Sequence, residues 1–450
     1  MSATGRAVLR TGRAVLRGRL ASCLVAAGLI ALAATPAAAE AGGRTSIDLR
    51  ATYDARATID WDEGTIVVRS MARITNTSGR AIDYLVLNSF AAALGRMDIL
   101  RAEVDGARVA ITVEDQNLLV PLAARLAHGA ATEVLIKYRA HFRSGSAGRD
   151  YHFSRANGII SCLRWIPWVS DYTPFWESDW GEQMNTAVSP LVQVSITTDI
   201  PLTISSTGSR LSSDGLRQVF QARDVRDFNF TAAPDFETLA GDSFDGDTRI
   251  VVYSRTLPRQ PMLEHARQAM ALFEQRLGEE YPYPRFTISE ASGGAGHESP
   301  GHIWLGPTLA TSQLARLVVH ETAHQWFYAL VGSDQPNEPF ADEAVAEFLT
   351  SAFFHEFDSG DCPRDRLDRD ISFYGGCLYE VIYQQGSVFL EGIRRDIGAR
   401  HFWAALRQYI DRHRFRFGST EELLEALRVD AEVAGVDLLP RYQERFPRLY

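Results

Sequence analysis

Two histidines and a glutamate with the spacing of metal-site residues lie in the apolar stretch 318–326, Val-Val-His-Glu-Thr-Ala-His-Gln-Trp. In a helix, residues four apart lie on the same face, so His320 and His324 direct their imidazoles toward a common point. Imidazole nitrogens at about 2.0–2.1 Å are ordinary zinc ligands. Glu321 is offset around the helix, where it can act on a water molecule as a general base instead of binding the metal. The stretch therefore predicts a metal site with hydrolytic chemistry.

A carboxylate further along the chain can supply a third ligand. We expect Gly332 to end the first helix and a second helix to begin near Pro339, so that Glu343 folds back against the two histidines. Three protein ligands leave one coordination position for water or substrate, as a catalytic zinc site requires. Glu347, one turn beyond, can accept a hydrogen bond from the other nitrogen of a ligand histidine, or it can be a solvated helix residue. From the motif alone, both histidines can also be hydrogen-bonded core residues.

The first part of the mature chain has the pattern of β-strands. In residues 66–74 the even-numbered positions are apolar or small, while positions 69 and 73 are arginines. Residues 134–138 and 192–196 alternate in the same way, and such period-two patterning is typical of half-buried strands. No long helical pattern interrupts these runs. We therefore predict an antiparallel β-domain over residues 40–245.

The pattern changes after residue 245. Residues 249–253 and 285–289 are predicted strands, and between them the apolar residues of 263–277 fall on one helical face that Gly278 ends. Beyond about residue 313 the chain is predicted to be mostly helical. A small sheet followed by helices indicates an α+β domain, which we place at residues 246–450.

The N-terminus has the features of a secretory signal. The first 20 residues carry five arginines and no acidic residue, and an apolar run at 23–34 precedes a cluster of small residues that ends at Ala39. We therefore expect residues 1–39 to be a cleaved signal peptide and the protein to be periplasmic or secreted. Its removal takes away five positive charges, so the net charge of −10 becomes −15. Such an acidic protein is not expected to bind nucleic acid, and the mature chain carries no predicted membrane-spanning segment.

Three cysteines remain in the predicted mature chain. An oxidising compartment permits a disulfide, and Cys362 and Cys377 would close a short loop, leaving Cys162 as a buried thiol. The alternative is that all three are reduced. No Cys-x-x-Cys pattern predicts a cysteine-based metal site.

Several segments together resemble a known family. The pattern His-Glu-x-x-His, 18 residues, Glu over residues 320–343 resembles the M1 metallopeptidases of the gluzincin group, relatives of aminopeptidase N and leukotriene A4 hydrolase. Residues 294–301, Gly-Ala-Gly-His-Glu-Ser-Pro-Gly, resemble the GxMEN segment of that family, and Tyr-Gln-Gln-Gly at 383–386 resembles its Y-E-K-G stretch. Residues 402–409 and 419–423 resemble the helices that close its catalytic domain.

The resemblance implies a zinc aminopeptidase acting on peptides with a free N-terminus. It implies a multi-domain fold, with an N-terminal antiparallel β-sandwich or saddle domain and a thermolysin-like α+β catalytic domain, in a short form without the large C-terminal helical domain. The implied site residues are the ligands of one Zn²⁺ per chain (His320, His324 and Glu343), the general base Glu321, the oxyanion-stabilising Tyr383, the amine-binding Glu298 with Gly294 and Gly296 beside the substrate, and Glu347 behind a ligand histidine.

The chain also departs from the family pattern. His297 and Ser299 stand where GxMEN has methionine and asparagine, and Phe-Ala-Asp-Glu-Ala at 340–344 replaces the more usual W-L-N-E-G. Two other functions therefore stay open. An M1-like endopeptidase or another amide hydrolase would cleave N-terminally blocked peptides and be indifferent to Glu298. A non-catalytic peptide-binding protein could have kept the fold.

Overall fold

The computed structural model describes residues 48–171 and 186–450. The predicted signal peptide, residues 1–39, lies outside the described residues. Within them, no helix combines the length and apolar character needed to cross a bilayer.

Strands form almost all of the first part. In chain order they are β1 (Arg50–Asp60), β2 (Thr65–Thr75), β3 (Ile82–Asn88), β4 (Asp98–Val104), β5 (Ala107–Arg108), β6 (Thr112–Glu114), β7 (Asn117–Leu126), β8 (Ala131–His141), β9 (Phe153–Ala156), β10 (Ile159–Cys162), β11 (Trp168–Val169), β12 (Val192–Thr198), β13 (Thr203–Ser206), β14 (Ser209–Ser213), β15 (Arg217–Ala222) and β16 (Phe230–Ala233). One short helix, α1 (Phe90–Leu94), and a 3₁₀ turn at Gly148–His152 interrupt them.

The strands form three sheets in the described part. The largest has the order β14-β15-β12-β1-β2-β8-β4-β5, and the two smaller ones have the orders β13-β16-β10-β9 and β11-β3-β7-β6. All neighbours are antiparallel except β1 and β12. In β2 the even-numbered residues 66–74 are buried and the odd-numbered ones are not, which confirms the predicted alternation. One face of each strand therefore supplies the core between the sheets.

The second part combines a mixed sheet with helices. Its strands are β17 (Glu237–Asp242), β18 (Arg249–Ser254), β19 (Arg285–Glu290), β20 (Gly296–His297) and β21 (His302–Leu305), followed by the paired β22 (Val331–Gly332) and β23 (Arg416–Phe417). Its helices are α2 (Arg259–Leu277), α3 (Thr311–Ala323), α4 (Glu343–Phe354), α5 (Ile371–Tyr374), α6 (Gly386–Ile397), α7 (Ala399–His413), α8 (Thr420–Val433) and α9 (Leu439–Arg445). This arrangement confirms the predicted fold class.

The mixed sheet has the order β17-β18-β19-β21-β20, with β20 at one edge. The three central strands are parallel, and the outer two are antiparallel to their neighbours. Strand β17 lies on the N-terminal side of residue 245, so this sheet draws one strand from before the predicted boundary. The boundary at residue 245 between the two predicted domains remains a prediction from the sequence. Helix α2 ends as predicted, because Gly278 adopts the left-handed conformation with φ 64°.

The predicted end of the first motif helix is wrong. Helix α3 ends at Ala323, nine residues before Gly332. The peptide oxygen of Phe327 accepts a hydrogen bond from the His324 ring at 2.9 Å, and Val331–Gly332 pairs with β23. Both interactions need a non-helical chain. The second helix also starts later than expected, because Pro339–Ala341 forms a 3₁₀ turn before α4 begins.

A disulfide joins Cys362 and Cys377, and Cys162 is a buried free thiol, which is the first of the two alternatives that the sequence left open. The disulfide ties the loop after α4 to the segment before the π-helical turn Tyr379–Gln385, which follows in the chain.

Candidate active site

Helices α3 and α4 bring three ligand atoms together. The Nε2 atoms of His320 and His324 lie 3.1 Å apart, and each lies 3.4 Å from Oε2 of Glu343. Ligand atoms about 2.0–2.1 Å from a tetrahedral ion lie about 3.3–3.4 Å from one another. The triangle therefore has the size that a tetrahedral metal ion requires.

The surroundings of Glu343 show that the triangle fits a cation. Gln335 donates a hydrogen bond of 2.8 Å to Oε1, which fixes the carboxylate. Oε2 is buried and accepts no hydrogen bond from any described residue. A buried carboxylate oxygen without a hydrogen bond is costly unless a positive charge lies beside it. Two imidazole nitrogens and one carboxylate oxygen form a buried metal site consistent with zinc.

The other nitrogen of each histidine is held by a carboxylate. Oε2 of Glu347 lies 3.2 Å from Nδ1 of His320, and Oδ1 of Asp342 lies 2.8 Å from Nδ1 of His324. The hydroxyl of Ser333 donates to the second oxygen of Asp342 at 2.9 Å. Such partners fix the ring orientation and turn both Nε2 atoms toward the centre. Glu347 was predicted from the sequence, whereas Asp342 was not, although Asp342 stands directly before a predicted ligand.

The pKa values of the site residues have the pattern of a cation site. Burial favours neutral His320, but the carboxylates of Glu343 and Glu347 outweigh it and raise the pKa of that imidazole to about 9. Burial also opposes ionisation of Glu343, but His324 and His320 hold its pKa well below the usual range. The carboxylates thus favour positive charge on the ring nitrogens, and a metal ion would replace those protons.

Glu321 lies on α3 beside the edge strand β20. It is buried, and burial raises the pKa of its carboxyl to about 7, although His320 and His324 oppose the shift. A carboxylate with a pKa near neutrality suits a general base. A Cβ atom at Gly296 would overlap the carboxylate of Glu321, so glycine at this position leaves room for the side chain.

Glu298 follows β20 and is buried near the same centre. Ligand atoms of Glu298, Glu321 and His324 all lie within 4.8 Å of one another. Gln325 fixes this segment to α3, because its Oε1 accepts a hydrogen bond of 2.8 Å from the backbone of Gly301, and its Nε2 donates one of 3.0 Å to the backbone oxygen of Ser299. The segment 294–301 is thus held against the metal-site helix.

Tyr383 belongs to the π-helical turn Tyr379–Gln385. Its ring stacks on that of His320, with ring centroids 5.8 Å apart. Glu380 of the same turn accepts a hydrogen bond of 2.6 Å from the backbone of Asp361 and a second one from the backbone of Cys362. Tyr383 is therefore placed beside a histidine of the triangle by a turn that is fastened to the disulfide loop.

All nine predicted site residues line one cavity of about 690 Å³. This size is typical of a site for a small molecule or a short peptide segment. The other lining residues were not predicted from the sequence: Ser146, Gly148, Tyr151, His152, Ala295, Leu309, Gln313, Arg316, Leu317 and Tyr379. For Arg316, the position four residues before His320 was an available signal, because it places both on one helix face.

His297, which stands at the methionine position of GxMEN, is buried behind the cavity wall. Its ring packs against those of His152 and Trp304, with centroids 5.3 Å and 5.1 Å away. Burial lowers the pKa of His297 to about 3. The side chain therefore fills a packing position as a neutral ring, and it is not among the described cavity-lining residues.

Solved structures to which this chain is similar include M1 zinc metallopeptidases. The crystal structure of the M1 zinc metallopeptidase from Deinococcus radiodurans matches with a TM-score of 0.65 and 17% identity, covering 86% of this chain and 93% of that one. A mutant of the same name and organism, bound to a Tyr-Ser-Ala substrate, matches with the same values of score, identity and coverage. The chain therefore has the M1 zinc metallopeptidase fold, and the predicted resemblance is confirmed at this level.

A curated relative is aminopeptidase M1-B of Oryza sativa subsp. japonica. It is 25% identical over 256 residues, which are 48% of this chain and 29% of that protein. The matched part thus spans less than a third of the relative. No protein-family model matches the chain.

Proposed function

We propose that this chain is a zinc-dependent aminopeptidase that removes N-terminal residues from peptides. The observation that carries the proposal is the triangle of His320, His324 and Glu343, with Glu321 and Glu298 beside it in one cavity. Metal ligands, a base and an anionic group for an ammonium are the parts that this reaction needs. The fold shared with M1 zinc metallopeptidases supports the same reaction class.

Glu321 and Tyr383 have different roles in the proposed reaction. A bound zinc ion would act as a Lewis acid and lower the pKa of water at the site. Glu321 accepts a proton from the attacking water and delivers it to the leaving amine. The hydroxyl of Tyr383 donates to the carbonyl oxygen as negative charge develops on it, and loss of one such donor commonly lowers kcat by about 10²–10³.

Glu298 is the residue that favours aminopeptidase over endopeptidase activity in this proposal. Because β20 is an edge strand, an extended peptide can pair with its free side. The carboxylate of Glu298, at the end of that strand, is placed to bind the N-terminal ammonium. An anionic group at this end favours removal of the first residue over cleavage within a chain.

The deciding experiment is metal analysis combined with kinetics on paired substrates. We expect about one zinc per chain, and hydrolysis of aminoacyl-fluorophores that is lost when the amine is acetylated. Cleavage of acetylated peptides at a similar rate would favour the endopeptidase alternative. Bound zinc without hydrolysis of any peptide or amide would favour a non-catalytic peptide-binding protein.

We also propose that the protein is periplasmic or secreted after cleavage near Ala39. The basic and apolar N-terminal segment supports this location. The disulfide between Cys362 and Cys377 is also in keeping with an oxidising compartment. Cell fractionation with N-terminal sequencing tests the proposal, and an intact N-terminus on a cytoplasmic protein would contradict it.

A further inference from the structure

Arg316 contributes a permanent positive charge to the described lining of the cavity. Among the described lining residues, Arg316 is the only arginine or lysine, whereas four are glutamates: Glu298, Glu321, Glu343 and Glu347. The side chain of Arg316 is 31% exposed, so its guanidinium is accessible from the cavity. A cation in an otherwise acidic cavity is the expected partner for an anionic part of the ligand.

The contacts of Arg316 with neighbouring side chains leave some N–H donors of its guanidinium group available. Nη2 donates to Oε1 of Glu347 and, at 3.2 Å, to the hydroxyl of Ser351. Tyr379 lies beside the same group and interacts with it electrostatically. A guanidinium has five N–H donors, so some remain for a ligand. Glu347 also fixes the orientation of the group, because its own side chain is only 3% exposed.

The position of Arg316 along α3 matches the length of a short peptide. Glu298 lies near His324, while Arg316 lies one turn beyond His320 in the opposite direction. The eight residue steps from 316 to 324 span about 12 Å at 1.5 Å per residue. An extended peptide covers about 3.3–3.6 Å per residue, so a peptide of three or four residues matches this separation.

We propose that Arg316 binds the C-terminal carboxylate of the substrate, so that the preferred substrates are tripeptides and tetrapeptides with a free C-terminus. The inference rests on the proposed aminopeptidase function, and it adds a substrate class. With the ammonium at Glu298, the other charged end of such a peptide reaches the free side of the guanidinium. Arginine suits this role because its planar fork matches the geometry of a carboxylate.

The alternative for Arg316 is a purely structural role. Because Glu347 contacts both Arg316 and His320, the arginine could act only by holding the histidine in place. Such an effect would fall equally on every substrate. A recognition role instead affects only substrates that carry a C-terminal negative charge.

The test is a pair of tripeptides that differ only at the C-terminus, one with a free carboxylate and one with a carboxamide. For the wild-type protein we expect kcat/KM to be about ten-fold or more higher for the free acid, the range of a charge-assisted hydrogen bond. In Arg316→Gln this ratio should fall to about one. Arg428→Gln is the matched control, because Arg428 pairs with Glu425 and Glu432 on α8, and it should keep the wild-type ratio.

Three further measurements keep the test decisive. Zinc content shows whether Arg316→Gln retains the metal site, and Arg316→Lys, which keeps the charge but loses the fork, should give an intermediate ratio. With wild-type protein alone, lengthening the peptide from three to six residues should lower kcat/KM, because the carboxylate moves away from Arg316.

Equal rates for acid and amide in the wild type, or an unchanged ratio in Arg316→Gln, would overturn the inference. A neutral aminoacyl-fluorophore separates this outcome from failure of the proposed function. If the wild type cleaves the fluorophore but does not distinguish acid from amide, only the role of Arg316 is wrong. If it cleaves neither the fluorophore nor peptides, the aminopeptidase function itself is wrong.

Discussion

Oδ1 of Asp342 lies 2.8 Å from Nδ1 of His324, and the next residue in the chain is Glu343, whose carboxylate lies 3.4 Å from Nε2 of the same ring. One peptide unit thus connects the group behind the histidine to the group in front of it. The start of α4 therefore fixes both the orientation of the ring and the third corner of the triangle.

Asp342→Asn tests this arrangement. The amide keeps the shape of the carboxylate but removes the charge that orients His324 and increases its basicity, so zinc affinity should fall about 10–100-fold. Competition with a zinc chelator measures the change. Asp411→Asn, at an exposed position on α7, is the control. Equal zinc affinity in wild type and Asp342→Asn would show that the contact does not support the metal site.

Glu321→Gln separates metal binding from catalysis. Glu321 lies beside the triangle without forming one of its corners, so the variant should retain about one zinc per chain. General base catalysis contributes about 10²–10⁴-fold, and kcat should fall by that factor. Zinc analysis and initial rates on one preparation give both values. Loss of zinc together with activity would assign Glu321 to the metal instead.

Local sequence patterns could predict the centre of the site because its parts are close in sequence. The spacing of His320 and His324 is a property of one helical turn, and Glu343 needs only a helix–turn–helix to reach them. Asp342 was predictable in principle, since it directly precedes Glu343. The same patterns did not predict that α3 ends at Ala323, because the end depends on a side-chain contact of His324 and on pairing with a distant strand.

The opposite wall of the cavity could not be predicted in this way. Tyr151 and His152 come from the β-rich part of the chain, about 170 residues before His320, and no local periodicity relates them to it. The π-helical turn that carries Tyr383 also has no simple period in the sequence. These features depend on tertiary packing, which a single sequence does not encode as a local pattern.

Gly296→Ala tests the close approach between β20 and α3. The new Cβ would overlap the carboxylate of Glu321 and crowd Leu317, so the proposed base should be displaced while the metal ligands stay in place. We expect kcat to fall about 10-fold or more, within the range of general base catalysis, with zinc retained. Gly376→Ala is the matched control, because a Cβ there meets no atom within 4 Å. Similar kinetics for both variants would show that a Cβ atom at residue 296 does not displace Glu321.

Removal of the disulfide should affect stability first. In the chain-entropy model, a 15-residue loop such as that between Cys362 and Cys377 stabilises the folded state by about 3 kcal/mol. The double variant with serine at both positions should therefore have a lower free energy of unfolding, measured by denaturant titration. The same loop is hydrogen-bonded to Glu380, three residues before Tyr383, so kcat should also fall. A wild-type free energy of unfolding in the double variant would refute the stabilising role.

His302 provides a pH-dependent contribution to stability. It is fully buried between the two parts of the chain, with Nδ1 2.6 Å from Asn229 and Nε2 2.9 Å from Ser289. Burial lowers its pKa to about 3 from an ordinary value of 6.5, and His297 adds to the shift. Between these pH values the unfolded chain binds a proton that the folded chain excludes. The contribution of His302 to the free energy of unfolding is thus fully present above pH 6.5 and is lost as the pH falls toward 3.

The expected slope for this one histidine is up to about 1.4 kcal/mol per pH unit. Denaturant titrations of metal-free protein between pH 6 and pH 4 measure it, with His302→Gln as the comparison. The variant loses hydrogen bonds and should be less stable at pH 7, but its stability should fall less steeply with acid. Because all other titrating groups are common to both proteins, the difference between the two slopes isolates His302. Parallel slopes would show that His302 does not resist protonation in the folded state.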